Sequence, residues 1–174
     1  HDVFGEGFYL FDLKVNRLSD ASDVIPVMVS ERSIDVDVDY VGKIARISGQ
    51  FRSYNRHDSG RSRLVLSVFA RELNFLDEVY CDDNDFFLDG FVCKPPIYRK
   101  TPLGREIADV LLAVNRPYGK SDYIPCILWG RNARYAESFE VGERIKVWGR
   151  IQSRDYQKKI ADDEFEKRVA YEVS

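Results

Sequence analysis

GREIADVLLAVNRPYGKSDYIPCILWGRNARYAESFEVGERIKVWGRIQSR, residues 104–154, decides the fold, because a faded copy of it occurs about 100 residues earlier. Val15-Asn16-Arg17 lies 99 positions before Val114-Asn115-Arg116, and Ser22-Asp23-Val24-Ile25-Pro26 lies 99 before Ser121-Asp122-Tyr123-Ile124-Pro125. With one residue inserted in the second copy, Val41-Gly42 matches Val141-Gly142, and Ile47, Gly49, Phe51 and Ser53 match Val147, Gly149, Ile151 and Ser153. A period this long means two tandem domains, not a solenoid.

Composition narrows the function classes. The 174 residues make two small domains of under about 100 each, with modest cores. No run approaches the roughly 18 apolar residues of a membrane span and no basic-then-apolar leader is visible, so a soluble, cytoplasmic protein without membrane contact is expected. The chain opens on His1 rather than Met. Cys81, Cys93 and Cys126 show no ligand spacing and their odd number argues against a disulfide framework, so they read as reduced thiols, Cys126 as a buried small hydrophobe. With only His1 and His57, most Ser/His/Asp, Cys/His and zinc arrangements are removed, and neither catalysis nor a metal or other cofactor is expected. Charge is uneven: residues 1–89 carry 10 Lys+Arg against 17 Asp+Glu, and residues 90–174 carry 16 against 12. The second half is the better suited to a polyanion, although ordinary solvated surface charge gives the same counts.

In order along the chain, residues 1–10 read as a loop feeding a strand. Residues 11–17 alternate Phe11, Leu13 and Val15 against Asp12, Lys14 and Asn16, a strand period, and residues 24–30 are short and β-branched. In residues 31–40, Ile34, Val36 and Val38 alternate with Asp35, Asp37 and Asp39, where residues 131–140 have helix formers, so the first copy lacks that helix; the aspartates read as a solvated face rather than a cation site. Residues 43–54 predict a strand, 55–63 a hairpin loop and 64–73 the returning strand, LVLSVFAREL also being compatible with a helix. Residues 77–85 are an acidic linker. Strands are then predicted over 86–93, 107–115, 123–129, 144–152 and 166–173, with a helix at 131–139 and a loop through 155–164.

Strand, strand, strand, helix, strand, strand is the element order of an OB-fold, a five-stranded Greek-key barrel. The residues Leu88-Asp89-Gly90, Pro96-Ile97-Tyr98-Arg99 with Thr101-Pro102-Leu103-Gly104, Leu111-Ala113-Val114-Asn115-Arg116, Ile127-Leu128-Trp129-Gly130-Arg131, and Val141-Gly142 with Gly149-Arg150-Ile151-Gln152-Ser153-Arg154 together resemble the bacterial single-stranded DNA-binding protein family. The resemblance implies an all-β chain of two tandem OB-folds, each with at most one short helix. Residues 1–76 would be a degenerate copy lacking its first strand, its missing residues lying before His1, and residues 86–174 the complete, single-stranded DNA-binding copy.

The function it implies is physical binding, with aromatic rings stacking on bases and cations tracking phosphates. Tyr123 and Trp129 match positions where the family carries base-stacking aromatics; Tyr156 matches a third and Tyr118 is near a fourth. On the fourth strand Ile145, Val147, Gly149 and Ile151 point inward, leaving Arg144, Lys146, Trp148, Arg150 and Gln152 on the other face. Arg150 and Arg154 are read as DNA contacts, while Trp148 is open between DNA and a subunit interface. Arg99, Lys100, Arg116, Lys120 and Arg131, at turns or strand ends, are either phosphate contacts or solvated charge. The connection RPYGKSD is shorter than the family's long basic loop. The first copy has Val24, Ser30 and Arg56 at the ring positions. The expected partners are single-stranded DNA, a second copy in a homodimer presenting four OB-folds, and replication or repair proteins. The alternative is a protein–protein interaction module of the replication machinery with marginal DNA affinity.

Overall fold

The computed structural model describes residues 7–35, 37–78, 83–161 and 164–173, and of residue 58 and residues 154–173 the backbone alone. The chain divides into two compact units, His1–Asp83 and Asn84–Ser174. No helix among the described residues is long and apolar enough to cross a membrane.

The first unit is a four-stranded sheet of β1 (Phe8–Asn16), β2 (Ser22–Ser30), β3 (Ile44–Asp58) and β4 (Arg61–Leu76), in the order β1-β2-β4-β3. Val15, Ile25, Val27, Val29, Phe51 and Leu66 form its core, and the alternation of Phe11, Leu13 and Val15 with exposed Asp12, Lys14 and Asn16 survives in β1. Only one pairing is parallel, β2 to β4 at Val27↔Val68 and Met28↔Phe69. Residues 31–35 and 37–40 form turns and bends, with Asp35, Asp37 and Asp39 exposed; Val36 lies outside the described residues. The Asp35 and Asp39 carboxylates accept from the backbone N–H of Asp37 and Val41, local turn bonds that hold this excursion together.

The second unit contains β5 (Phe86–Val92), β6 (Ile97–Lys100), β7 (Glu106–Asn115), β8 (Ser121–Trp129), α1 (Arg131–Ala136), β9 (Arg144–Gly149), β10 (Ile151–Ala161) and β11 (Glu164–Val173). The ladder runs β10-β11-β8-β7-β5-β9, with β6 alongside β7. Its two ends, β9 and β10, are consecutive in the chain and separated by Arg150 alone, so the sheet curls round through the chain itself. The pairing of β5 with both β7 and β9, and of β11 with β8 in parallel, is the Greek-key order of an OB-fold. Leu112, Ile124, Val92, Ala108 and Cys126 are buried at its centre, each large aliphatic contributing about 1.5–3 kcal/mol. Gly90 allows the close crossing: a Cβ there would meet the Ala113 carbonyl oxygen at 2.6 Å, just where β5 passes from β9 to β7.

The two units share details at the repeat offset. Arg17 N–H donates to Ala21 O (2.9 Å) and Arg116 N–H to Lys120 O (2.7 Å); Glu31 N–H reaches Gly7 O (2.8 Å) and Gly130 N–H reaches Glu106 O (2.9 Å). Each hairpin is also clamped by an ion pair on a buried carboxylate. In the first, Arg17 Nη2 and Nε lie 2.5 and 3.0 Å from Asp23, and in the second Arg116 Nε is 2.9 Å from Asp122 Oδ2. The Asp23 hydrogen bonds raise the Arg17 pKa further above its ordinary value, against the opposing effect of burial.

Five local expectations need correction. The predicted loop at 55–63 is strand almost throughout, because Ser59 (φ +50°) and Gly60 (φ +76°) make a two-residue turn whose left-handed backbone suits the hairpin twist. The loop expected through 155–164 is likewise mostly β10, paired to β11 from Ile151↔Val173 to Ala161↔Glu164. The single strand expected at 144–152 is broken at Arg150, where the chain changes partner from β5 to β11. The Asn84 side-chain amide fills the gap, donating to Ile151 O (2.8 Å) and accepting from Ile151 N–H (3.0 Å) as a backbone would. Fourth, β6 adds a strand at residues 97–100, where none was predicted. The helix expected at 131–139 is shorter, since Glu137, Ser138 and Phe139 donate to carbonyls three residues back and tighten its last turn; Ala133 and Ala136 are its buried side.

Candidate nucleic-acid interface

Register brings the second unit's rings to one outer face of the sheet. Directly opposed residues in antiparallel strands share a face. Arg144, Phe91, Ala113 and Tyr123 therefore form one row across β9, β5, β7 and β8. Arg99, Ile107 and Trp129 form another across β6, β7 and β8, and Trp148 stands opposite Phe87. Tyr123 is 44% exposed, Trp129 39% and Trp148 71%, although Ile107 and Ile127 of the same face are buried. At about 3.3 Å per residue, Tyr123 and Trp129 are roughly 20 Å apart along β8, too far for one base to touch both.

The rings sit where the backbone makes them stand out. Trp148 alternates with buried Val147 along β9, and its ring packs on Phe87 with centroids 5.1 Å apart and planes tilted 45°. Tyr118, in a 3₁₀ turn at Pro117–Gly119 with φ +70°, is fully exposed at the β7–β8 connection, beside exposed Lys120. Phe87 (51% exposed) and Phe91 (38%) were missed from sequence, where FFLDGFVC reads simply as an apolar strand. The available signal was Asp89, which shares their parity against Leu88, Gly90 and Val92 and marks that side as the outer one.

The cations divide. Arg144 makes a two-pronged bond to Asp89, Nε to Oδ1 at 2.9 Å and Nη2 to Oδ2 at 2.7 Å, and holds that carboxyl below the usual carboxylate range. Lys146 is exposed on the same strand face. Arg99 Nε is 2.9 Å from Asp109 Oδ2 on the ring face, whereas Lys100, opposite Glu106, falls on the other side. Arg131 is exposed at the start of α1. Arg116 holds buried Asp122 and so serves the hairpin first. Arg150 borders an open recess lined by Asn84, Asp85, Phe86, Trp148 and Gly149. The side chains of Arg154 and Tyr156 lie outside the described residues; their backbone runs in β10 opposite Ala170 and Arg168.

Among the described residues no group of three His, Cys, Asp or Glu side chains is placed to hold a metal ion. Cys126 is buried, its thiol 3.7 Å from Ile124 O, and burial pushes the Cys93 thiol up; Cys81 lies outside the described residues. What the face offers is separated flat rings among cations, a surface for stacking and charge neutralisation.

Over 81 residues, 42% of this chain, it is 37% identical to single-stranded DNA-binding protein 2 of Listeria innocua (51% of that protein) and 36% identical to single-stranded DNA-binding protein B of Bacillus subtilis (72% of that protein). The chain spans about half the length of most of the curated relatives it matches. In fold it is similar to the wild-type single-stranded DNA binding protein from Thermus aquaticus, with a TM-score of 0.74 at 20% identity over 100% of this chain and 84% of that one. The model of the Single-strand binding protein family matches residues 83–174, more than half of the sequence, and the chain belongs to that family.

Proposed function

We propose that the second unit binds single-stranded DNA without regard to sequence, in replication, recombination or repair. The observation that carries this is the single outer face bearing Tyr123, Trp129, Trp148, Phe87 and Phe91 with Arg144, Lys146 and Arg99. Bases stack on the rings because every base has a π-face, and phosphates meet the cations. Arg150, Arg131, Lys120, Tyr118, Arg154 and Tyr156 extend the path, with Arg116 and Lys100 in supporting positions. The names of the relatives point the same way.

A homodimer presenting four OB-folds completes the proposal. The exposed Trp148–Phe87 pair also favours a second reading, in which this corner is a protein interface and DNA affinity is marginal. Titration with oligo-dT decides between them. Both tryptophans of the chain lie on the ring face, so stacking quenches their fluorescence. At roughly 1–3 kcal/mol per stack, Tyr123→Ala with Trp129→Ala lowers affinity by about 30-fold or more. Unchanged affinity in that double variant, or no quenching of the wild type at low salt, sinks the DNA reading.

A further inference from the structure

We propose that Asp109 is a base-edge acceptor on the ring face: its carboxylate takes a hydrogen bond from the pairing-edge N–H of a base seated on Trp129, so that the face selects bases that are not already paired. The inference rests on the stacking reading of Trp129 and adds to it a side chain that touches the edge of the base. A carboxylate is out of place on a surface that receives a polyanion, and its surroundings make it more so. Directly opposite it stand Ile97 on β6 and Ile127 on β8, and two residues away along β7, on the same face, lie Ile107 and Leu111. Ile107 and Ile127 are buried, so the carboxyl group rises from an apolar floor, its side chain 39% exposed.

Pairing register puts it between a ring and a cation. Trp129 lies one step diagonally from Asp109 across β7 and β8, and Arg99 one step diagonally across β7 and β6. Diagonal neighbours are about 7–8 Å apart at the backbone, within reach of aromatic and long side chains. Arg99 Nε donates to Asp109 Oδ2 at 2.9 Å, which fixes the direction of the carboxyl group. A carboxylate has about four lone-pair sites, and this bond takes one. Asp89, towards the other end of the face, differs in that Arg144 occupies both of its oxygens.

The chemistry of the ligand follows from that placement. A carboxylate repels phosphates, so a strand with a base on the Trp129 ring runs its backbone away from Asp109 and turns the base edge towards it. Every base has an N–H on its pairing edge: N3–H in thymine, N1–H in guanine, and the exocyclic amino group in adenine and cytosine. An acceptor at this place therefore serves all four, which suits binding without regard to sequence, and it finds no donor where those N–H groups are engaged in a duplex. Arg99 acts through Asp109 here, as a positioning residue.

The test uses the full chain and two fluorescein-labelled strands followed by anisotropy: oligo-dT, and the same length of N3-methylthymidine, which keeps the π-face and the phosphates and lacks the pairing-edge N–H. The wild type is expected to bind the methylated strand about tenfold more weakly, the scale of a hydrogen bond to a charged group. Asp109→Leu, which matches the apolar floor, binds the two strands alike. Asp109→Asn, which retains an acceptor oxygen without the charge, keeps a smaller ratio of about threefold. The ratio is the readout because loss of the carboxylate also removes its repulsion of phosphate, and does so for both strands. Equal binding of the two strands by the wild type overturns the inference, and so does a penalty that persists unchanged in Asp109→Leu, since the methyl group would then act elsewhere. Where tryptophan quenching accompanies either of those results, stacking stands and the role of Asp109 alone fails. Binding without quenching defeats the stacking reading and this inference with it.

Discussion

Val24 and Tyr123 occupy the same place in their two units, opposite Lys14 and Ala113 in registers 99 residues apart, and are exposed to almost the same extent, 40% and 44%. Ser30 and Trp129 correspond in the same way, opposite Phe8 and Ile107. Beneath them the hairpins agree closely: each closes with a bond from an arginine N–H to a carbonyl four residues on, and each ties that arginine to a buried aspartate. The two units therefore agree in scaffold and differ in surface. Residues whose neighbours are buried are constrained by packing and by the cost of an unpaired buried charge, whereas an outward position on a strand can carry a ring or not without loss of fold.

The sharpest way to break this comparison is to treat both surface pairs alike. Tyr123→Ala with Trp129→Ala is expected to cost 30-fold or more in oligo-dT affinity, while Val24→Ala with Ser30→Ala leaves affinity within about twofold, a change typical of surface sites. A comparable loss from the first-unit pair would show that its β1–β2 face is also a base platform.

Next in size are the shared clamps. Asp23→Asn and Asp122→Asn each remove the charge that balances a part-buried arginine, and each is expected to lower stability by about 2 kcal/mol in urea denaturation. If only one does so, the clamps are equivalent in geometry alone.

The smallest effect concerns the carboxylates on the ring face, which compete with phosphate for Arg144 and Arg99. Asp89→Asn frees Arg144 and is expected to tighten oligo-dT binding by up to about fivefold at low salt, the scale of an exposed ion pair. The same pair sets an acid-side dependence. Because Arg144 depresses the Asp89 pKa in the folded chain, its contribution is complete above the unfolded value near pH 4 and is lost as pH falls through the lower folded value. A melting-temperature profile from pH 5 downward that is the same for wild type and Asp89→Asn contradicts this.

Much of this was legible in order along the chain. A duplication at 99–100 residues, alternation in residues 11–17 and 144–149, and the LWGR stretch before a short helix are local patterns, so they predict strands, helix and family without tertiary information. The turn at Ser59-Gly60 was hidden because NRHDSGRSR is polar throughout; a ribbon exposed on both faces has no apolar alternation to betray it. The break at Arg150 was hidden for another reason, since a strand that changes partner keeps its period.

By itself the sequence determined that there are two units, that they are built of strands, and which rings are available. Only tertiary structure decided which of those residues meet. Phe87 and Phe91 join Trp148 and Tyr123 because β5 pairs with β9 on one side and β7 on the other, contacts between residues 20 to 63 positions apart. Arg116, left open from sequence between phosphate contact and solvated charge, is drawn to Asp122, because a carboxylate only 2% exposed needs a countercharge within reach. Sequence periodicity says which side of a strand a residue takes, but pairing register, set by burial of the opposite side, says who its neighbours are.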